Sequence, residues 1–269
     1  MNDVEPPASP GDLPPIISPS EVPAQPALTA PWGFWATTGL GIALLGIYFV
    51  GQSLVTIASV VIHTLGTGGK LTSEQSLAKA MDGDVISIAL GLTAPATIFF
   101  IGWFIKLRRG PTWRDYLGWH WPKWRVALLW SGGLLLLWVL SELLTQLFQR
   151  PSVPEVMLAV YRTANFKPLL WLGIILVAPV VEELIFRGFL FPGWAESRLG
   201  GWGTIVLTAL LWAAIHLQYD FYGVASIFCF GIFLGWMRFR TGSVLLCIAL
   251  HCLQNLAASL QVEFILAQP

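Results

Sequence analysis

The sequence predicts an all-α fold: a polytopic bundle of about seven transmembrane helices behind a disordered, Pro-rich N-terminal tail. Three observations predict it. Of 269 residues, 55% are hydrophobic and only 11% charged, whereas an ordinary soluble domain carries about 25% charged residues. That is too little charge to cover a water-facing surface. The apolar residues are gathered into long runs, several near the ~20 residues that a helix needs to cross a hydrocarbon core. Lipid offers no partner to a free backbone N–H or C=O, so runs of this kind form helices rather than open strands. The 15 basic and 15 acidic side chains balance, which leaves no overall attraction to nucleic acid, and none is expected as a partner. Cys229, Cys247 and Cys252 lie in apolar stretches without C-x-x-C spacing, so neither a disulfide framework nor a cysteine zinc site is indicated.

The elements follow in order. Nine of the 18 prolines fall in the first 31 residues, which hold no aromatic residue and no Lys or Arg. Such a segment cannot bury enough apolar area to offset its ordering entropy, and residues 1–32 are read as a disordered cytoplasmic tail. It has neither the basic start nor the apolar core of a secretory signal. Seven apolar runs then lie at 34–62, 84–105, 126–148, 168–191, 203–218, 221–237 and 243–266. The fifth and sixth are short and are parted only by Gln218, Tyr219 and Asp220, so the count stands between six and eight. Residues 33–167 supply N-terminal helices and interfacial loops, and residues 168–266 a helical core that carries the chemistry. No inverted repeat of the transporter kind is apparent.

With seven spans, Lys106, Arg108, Arg109, Arg114, Lys123, Arg125, Arg198, Arg238 and Arg240 fall on the side of the N-terminus. The other side receives only Lys70, Lys79, Arg150, Arg162 and Lys167. The positive-inside rule therefore expects a cytoplasmic N-terminus, in a plasma or other internal membrane. Trp113, Trp119, Trp121 and Trp124 stand among basic residues in one loop, a composition suited to the headgroup level.

Ionisable side chains inside the runs are few: Glu142, Glu182, Glu183, Arg187, His216 and His251, with His63 and Glu263 near run ends. Each charge at bilayer depth costs about 2.5–3.5 kcal/mol on insertion scales, so a cluster reads as a functional site. On a helix Glu183 and Arg187 are four apart and face each other, while Glu182 is turned about 100° away. Two carboxyls sharing one cation differ in proton affinity, and the less well paired one suits a general base for water. A purely structural ion pair is the alternative. Trp212 and His216 are four apart, and so are His251 and Asn255. A lone histidine at position 216 suits a hydrogen bond to a carbonyl as well as catalysis. The His251/Asn255 pair suits either an oxyanion hole or polar glue between helices.

Taken together, EELIFR (Glu182, Glu183, Arg187), W-x-x-x-H (Trp212, His216) and H-x-x-x-N (His251, Asn255) resemble the three motifs of the CPBP family. That family includes the type II CAAX prenyl proteases and bacterial bacteriocin-processing or immunity proteins. The resemblance covers roughly residues 171–258, with Trp212 standing where Phe is more usual. It implies a glutamate-dependent intramembrane endopeptidase. Glu182 with His216 would activate water, Glu183 would pair with Arg187, and His251 with Asn255 would stabilise the oxyanion. The implied partners are membrane lipid and a membrane-associated or lipidated peptide substrate, with the oligomeric state open. No cofactor is expected. Zinc is the alternative, disfavoured because H-E-x-x-H is lacking and Arg187 would oppose a bound cation. A non-catalytic membrane binding or immunity protein, or a proton-coupled transporter, would use the same residues differently.

One geometric difficulty comes with this reading. Counted from the cytoplasmic run ends, Glu182 lies about 9 residues deep and His216 about 13, or ~13 Å against ~20 Å. The fifth helix is therefore expected to start near Ile205 or beyond, or to tilt.

Overall fold

The computed structural model describes residues 31–69 and 72–268. All but the last two residues of the tail expected over residues 1–32, and the loop residue Lys70, lie outside the described residues. The chain forms α1 (Phe34–Gly66), α2 (Ser73–Ala80), α3 (Gly83–Leu107), α4 (Trp113–Leu117), α5 (Trp124–Leu147) and α6 (Glu155–Thr163). A long α7 (Lys167–Ala195) follows, then α8 (Gly200–Ala214), α9 (Phe221–Thr241) and α10 (Val244–Leu266). No strand occurs among the described residues. Helices α1, α3, α5, α7, α9 and α10 are each long and apolar enough to cross a membrane. Large apolar side chains on α1 and α5, such as Ile42, Leu54, Leu129 and Leu144, are exposed, as lipid-facing residues must be. The protein is an integral, multi-pass membrane protein.

The expected fifth run, 203–218, is α8, and it is too short to count with the other six. Its 15 residues span ~22 Å against a hydrocarbon core of ~30 Å. The α8–α9 hairpin nevertheless reaches the far end of α5. There Arg150 pairs with Asp220 at 3.2 Å, and the Tyr222 hydroxyl lies 2.8 Å from Thr145 Oγ1.

Short polar contacts fix the ends of the bundle. At the end opposite the basic loop, Asp84 of α3 accepts hydrogen bonds from the backbone N–H of Asn165 and Phe166 and from Asn165 Nδ2. These bonds pin the start of α7. At the basic end, Gly118 closes α4 in the left-handed region, with φ 67°, and a Cβ there would collide with the Gly242 carbonyl. The Val244 N–H donates to Gly118 O at 3.0 Å, joining the basic loop to the α9–α10 turn.

Helix α7 is the axis of the bundle. Every residue from Val181 to Phe191 is buried except Glu182, so helices enclose this stretch nearly all round. The sequence predicts a regular α-helix here. Instead α7 widens into π-helical turns over Leu172–Val177 and Leu184–Leu190. In the first, the Ala178 N–H donates five residues back to Gly173 O. Continuing that register, Pro179 would have to bond Ile174 O, and at the second wide turn Pro192 would have to bond Arg187 O. Proline has no N–H, so each carbonyl is released. Side chains from other helices take both. Asn255 Nδ2 of α10 donates to Ile174 O at 2.8 Å, and Arg238 Nε of α9 donates to Arg187 O at 2.8 Å. Arg238 also donates through Nη2 to Leu117 O, so one buried guanidinium links α7, α9 and the basic loop.

Candidate active site

The two neighbouring carboxyls of α7 sit in different surroundings. Glu183 is fully buried, and its Oε1 accepts from Arg187 Nη1 at 3.0 Å and from His251 Nδ1 at 2.9 Å. Arg187, also fully buried, donates through Nη2 to Gly231 O of α9. Glu183 Oε2 and Arg187 Nε have no hydrogen-bond partner among the described residues. Glu182 is only half-buried. Its Oε2 accepts from the Trp212 indole N–H at 2.7 Å, and Oε1 has no hydrogen bond among the described residues.

Both histidines are held through Nδ1. His216 Nδ1 lies 2.8 Å from Trp212 O. A carbonyl can only accept, so Nδ1 carries a proton and the neutral ring leaves Nε2 as a lone-pair base. The hydrogen bond to a carbonyl expected for a lone histidine is thus present, and it leaves the other nitrogen free for chemistry. His251 meets Glu183 in the same way. Its imidazole is buried, and Nδ1 donates to Glu183 Oε1; the ring offers a second donor when Nε2 also carries a proton.

The sequence expectation for α8 needs correcting. It predicts a helix over 203–218 with His216 on its face. The structure starts α8 earlier, at Gly200, and ends it at Ala214, so His216 lies in the following turn. The depth difficulty dissolves for a related reason. Helix α7 continues to Ala195, past the apolar run that ends at 191, so Glu182 is ~20 Å from the basic end of its helix rather than ~13 Å. Trp212 is ~18 Å from the start of α8, and the 2.7 Å bond joins the two. A later start for α8 is not needed.

The structure gathers Glu182, Glu183, Arg187, His216 and His251 around Trp212. The Arg187 guanidinium lies 5.0 Å from the indole centroid, and the rings of His216 and His251 each lie 5.2 Å from it. Asn255 stands one turn beyond His251, with one amide N–H given to Ile174 O. In the turn after α8, burial first, and then the Glu182 charge, pushes the Tyr219 phenol up to about 12, so it is a proton-bearing donor at neutral pH. Three residues from the wider set do not join the cluster. Glu142 bonds Gln146 and Ser152 near the end of α5, Glu263 pairs with Lys167 at 2.7 Å, and His63 is at the end of α1. Sequence reasoning missed two functional features. One is the indole N–H of Trp212 on Glu182; the other is Arg238, which is counted there as a loop charge although Pro192 signals a released carbonyl.

Glu183 Oε1 is already shared by Arg187 and His251, and among the described residues no three His, Cys, Asp or Glu side chains group to hold a metal.

Fold and site together define a multi-pass membrane protein whose ionisable residues converge on one central helix. Residues 164–257 match the family described as type II CAAX prenyl endopeptidase Rce1-like, in agreement with the CPBP resemblance of the motifs. The matched segment runs from just before α7 into α10 and encloses Glu182, Glu183, Arg187, Trp212, His216, His251 and Asn255. In general terms, this supports an intramembrane endopeptidase. No curated protein and no solved structure matches the chain.

Proposed function

We propose that the protein is a glutamic-type intramembrane endopeptidase that hydrolyses a peptide bond in a membrane-associated or lipidated protein or peptide. The observation that carries this reading is the asymmetry of the carboxyl pair. Glu183 is buried and neutralised by Arg187, whereas Glu182 keeps one oxygen free of hydrogen bonds among the described residues and shares with His216 a common anchor in Trp212. Glu182 Oε1 takes a proton from water, with His216 Nε2 orienting it, and the hydroxide oxygen attacks the scissile carbonyl. The Nε2–H of His251 and the remaining amide N–H of Asn255 stabilise the oxyanion. The proton then passes to the leaving amine as the C–N bond breaks. Glu183 holds Arg187 and fixes the His251 ring.

The excess of Lys and Arg at the end carrying α4 supports a cytoplasmic position for that end and for the N-terminus. A CAAX substrate comes from the family likeness alone. The second reading is a non-catalytic binding or immunity protein on the same fold. It is favoured by the engagement of Asn255 with Ile174 O, which spends half of its donor capacity on structure.

The test is cleavage by purified protein in detergent of a prenylated CAAX peptide and of a library of transmembrane peptides. Glu182→Ala is expected to lower turnover by about 10²–10⁴-fold, the range for loss of a general base. Cleavage that does not depend on Glu182, or none at all, would favour the binding reading.

A further inference from the structure

Trp212 makes an unusual number of contacts with the ionisable groups of the cluster. Its indole N–H donates to Glu182 Oε2 at 2.7 Å, and its backbone carbonyl holds His216 Nδ1 at 2.8 Å. The Arg187 guanidinium lies over its face at 5.0 Å. The ring itself is buried at 3% exposure, closed in by His251 and Phe230. We infer that Trp212 is a positioning residue, whose indole N–H locks the Glu182 carboxylate in the rotamer that presents Oε1 to water. The inference rests on the endopeptidase reading of the same site.

The chemistry of the donor matters. The glutamate side chain has several rotamers, so a carboxylate that must face one way needs an anchor. A lysine or arginine anchor would neutralise it as well. An indole N–H is uncharged, donates one bond and accepts none, so it fixes geometry while leaving the carboxylate its charge. A cation over the ring face withdraws electron density and strengthens that N–H as a donor. A phenylalanine at this position would keep the packing and lose the anchor.

The experiment replaces Trp212 in the full-length protein by Phe and, separately, by 3-benzothienylalanine. In the latter, sulfur takes the place of the indole N–H and the bulk is kept. Cleavage of the peptide that wild-type protein processes is followed at varied substrate concentration, with melting temperature measured in parallel. A residue acting only through Glu182 should lower kcat by about 10- to 100-fold while KM stays within about twofold, because a charge-assisted bond to the reacting group is lost and no substrate contact is. The benzothienyl variant should melt with wild type and show the same loss of kcat. An unchanged kcat in that variant overturns the inference and leaves the endopeptidase reading standing. So does a fall in kcat that only tracks a fall in melting temperature. Wild-type protein without Glu182-dependent cleavage overturns both.

Discussion

Exchanging each member of the carboxyl pair for its amide should separate their roles in stability. In Glu183→Gln the charge that balances Arg187 disappears from a site where both side chains are completely buried. The guanidinium keeps its bonds to Gly231 O and to the amide oxygen, but its charge has no counterpart. Removing one partner of a buried pair costs about 3–5 kcal/mol, mostly the penalty of the uncompensated charge. Among the described residues Glu183 Oε2 and Arg187 Nε already lack partners, so the native pair is not optimal and the lower end of that range is expected. Glu182→Gln differs in kind. The amide oxygen still accepts from the Trp212 indole, and the half-buried position leaves no cation stranded, so the cost should stay below about 1 kcal/mol. By the usual conversion for chains of this size the difference is on the order of 10 °C in melting temperature. Thermal unfolding of both variants in the same detergent, followed by tryptophan fluorescence, measures it. Equal melting temperatures, or a less stable Glu182→Gln, would refute the assignment of Glu183 as the partner of Arg187.

One further outcome tests the way α7 is held. Arg238→Met leaves Arg187 O without its donor, and Pro192→Ala returns an N–H to the position from which that carbonyl was deprived. The double variant should therefore recover a good part of the stability lost by Arg238→Met, and a purely additive pair of melting shifts would argue against the capping relationship. Burial pushes the phenol of Tyr116 in the basic loop up to about 12, while in the unfolded chain it ionises near ~10. Its contribution is therefore complete below ~10 and is lost as pH rises through about 12. Melting temperatures measured across that range should fall less steeply in Tyr116→Phe than in wild type, and identical slopes would count against it.

Much of this protein is legible in one dimension. Scarce charge and long apolar runs settle an all-helical membrane protein, because a backbone in lipid has no other way to satisfy its hydrogen bonds. The pairing of Glu183 with Arg187 is also legible, since residues four apart on a helix must meet. The end of α8 is not. Apolar character continues through Ile215 and Leu217, yet the helix stops at Ala214, and nothing local announces that the His216 ring turns back onto Trp212 O. The wide turns of α7 are half legible: Pro179 and Pro192 stand in the sequence, but which side chains answer their released carbonyls depends on the packing of α9 and α10.

What the sequence by itself determined is the inventory and its cost: a membrane bundle in which Glu182, Glu183 and Arg187 are too expensive to be incidental. What only the tertiary structure decided is how those charges are divided. Glu183 lies where α7, α9 and α10 close together and is met by Arg187 and His251, while Glu182, one residue away, opens toward α8 and meets an indole. Adjacent positions on a helix point about 100° apart, and whether that turn leads into a neutralising partner or a neutral donor depends on which helix stands there, a relation between segments distant in the chain that no local pattern contains.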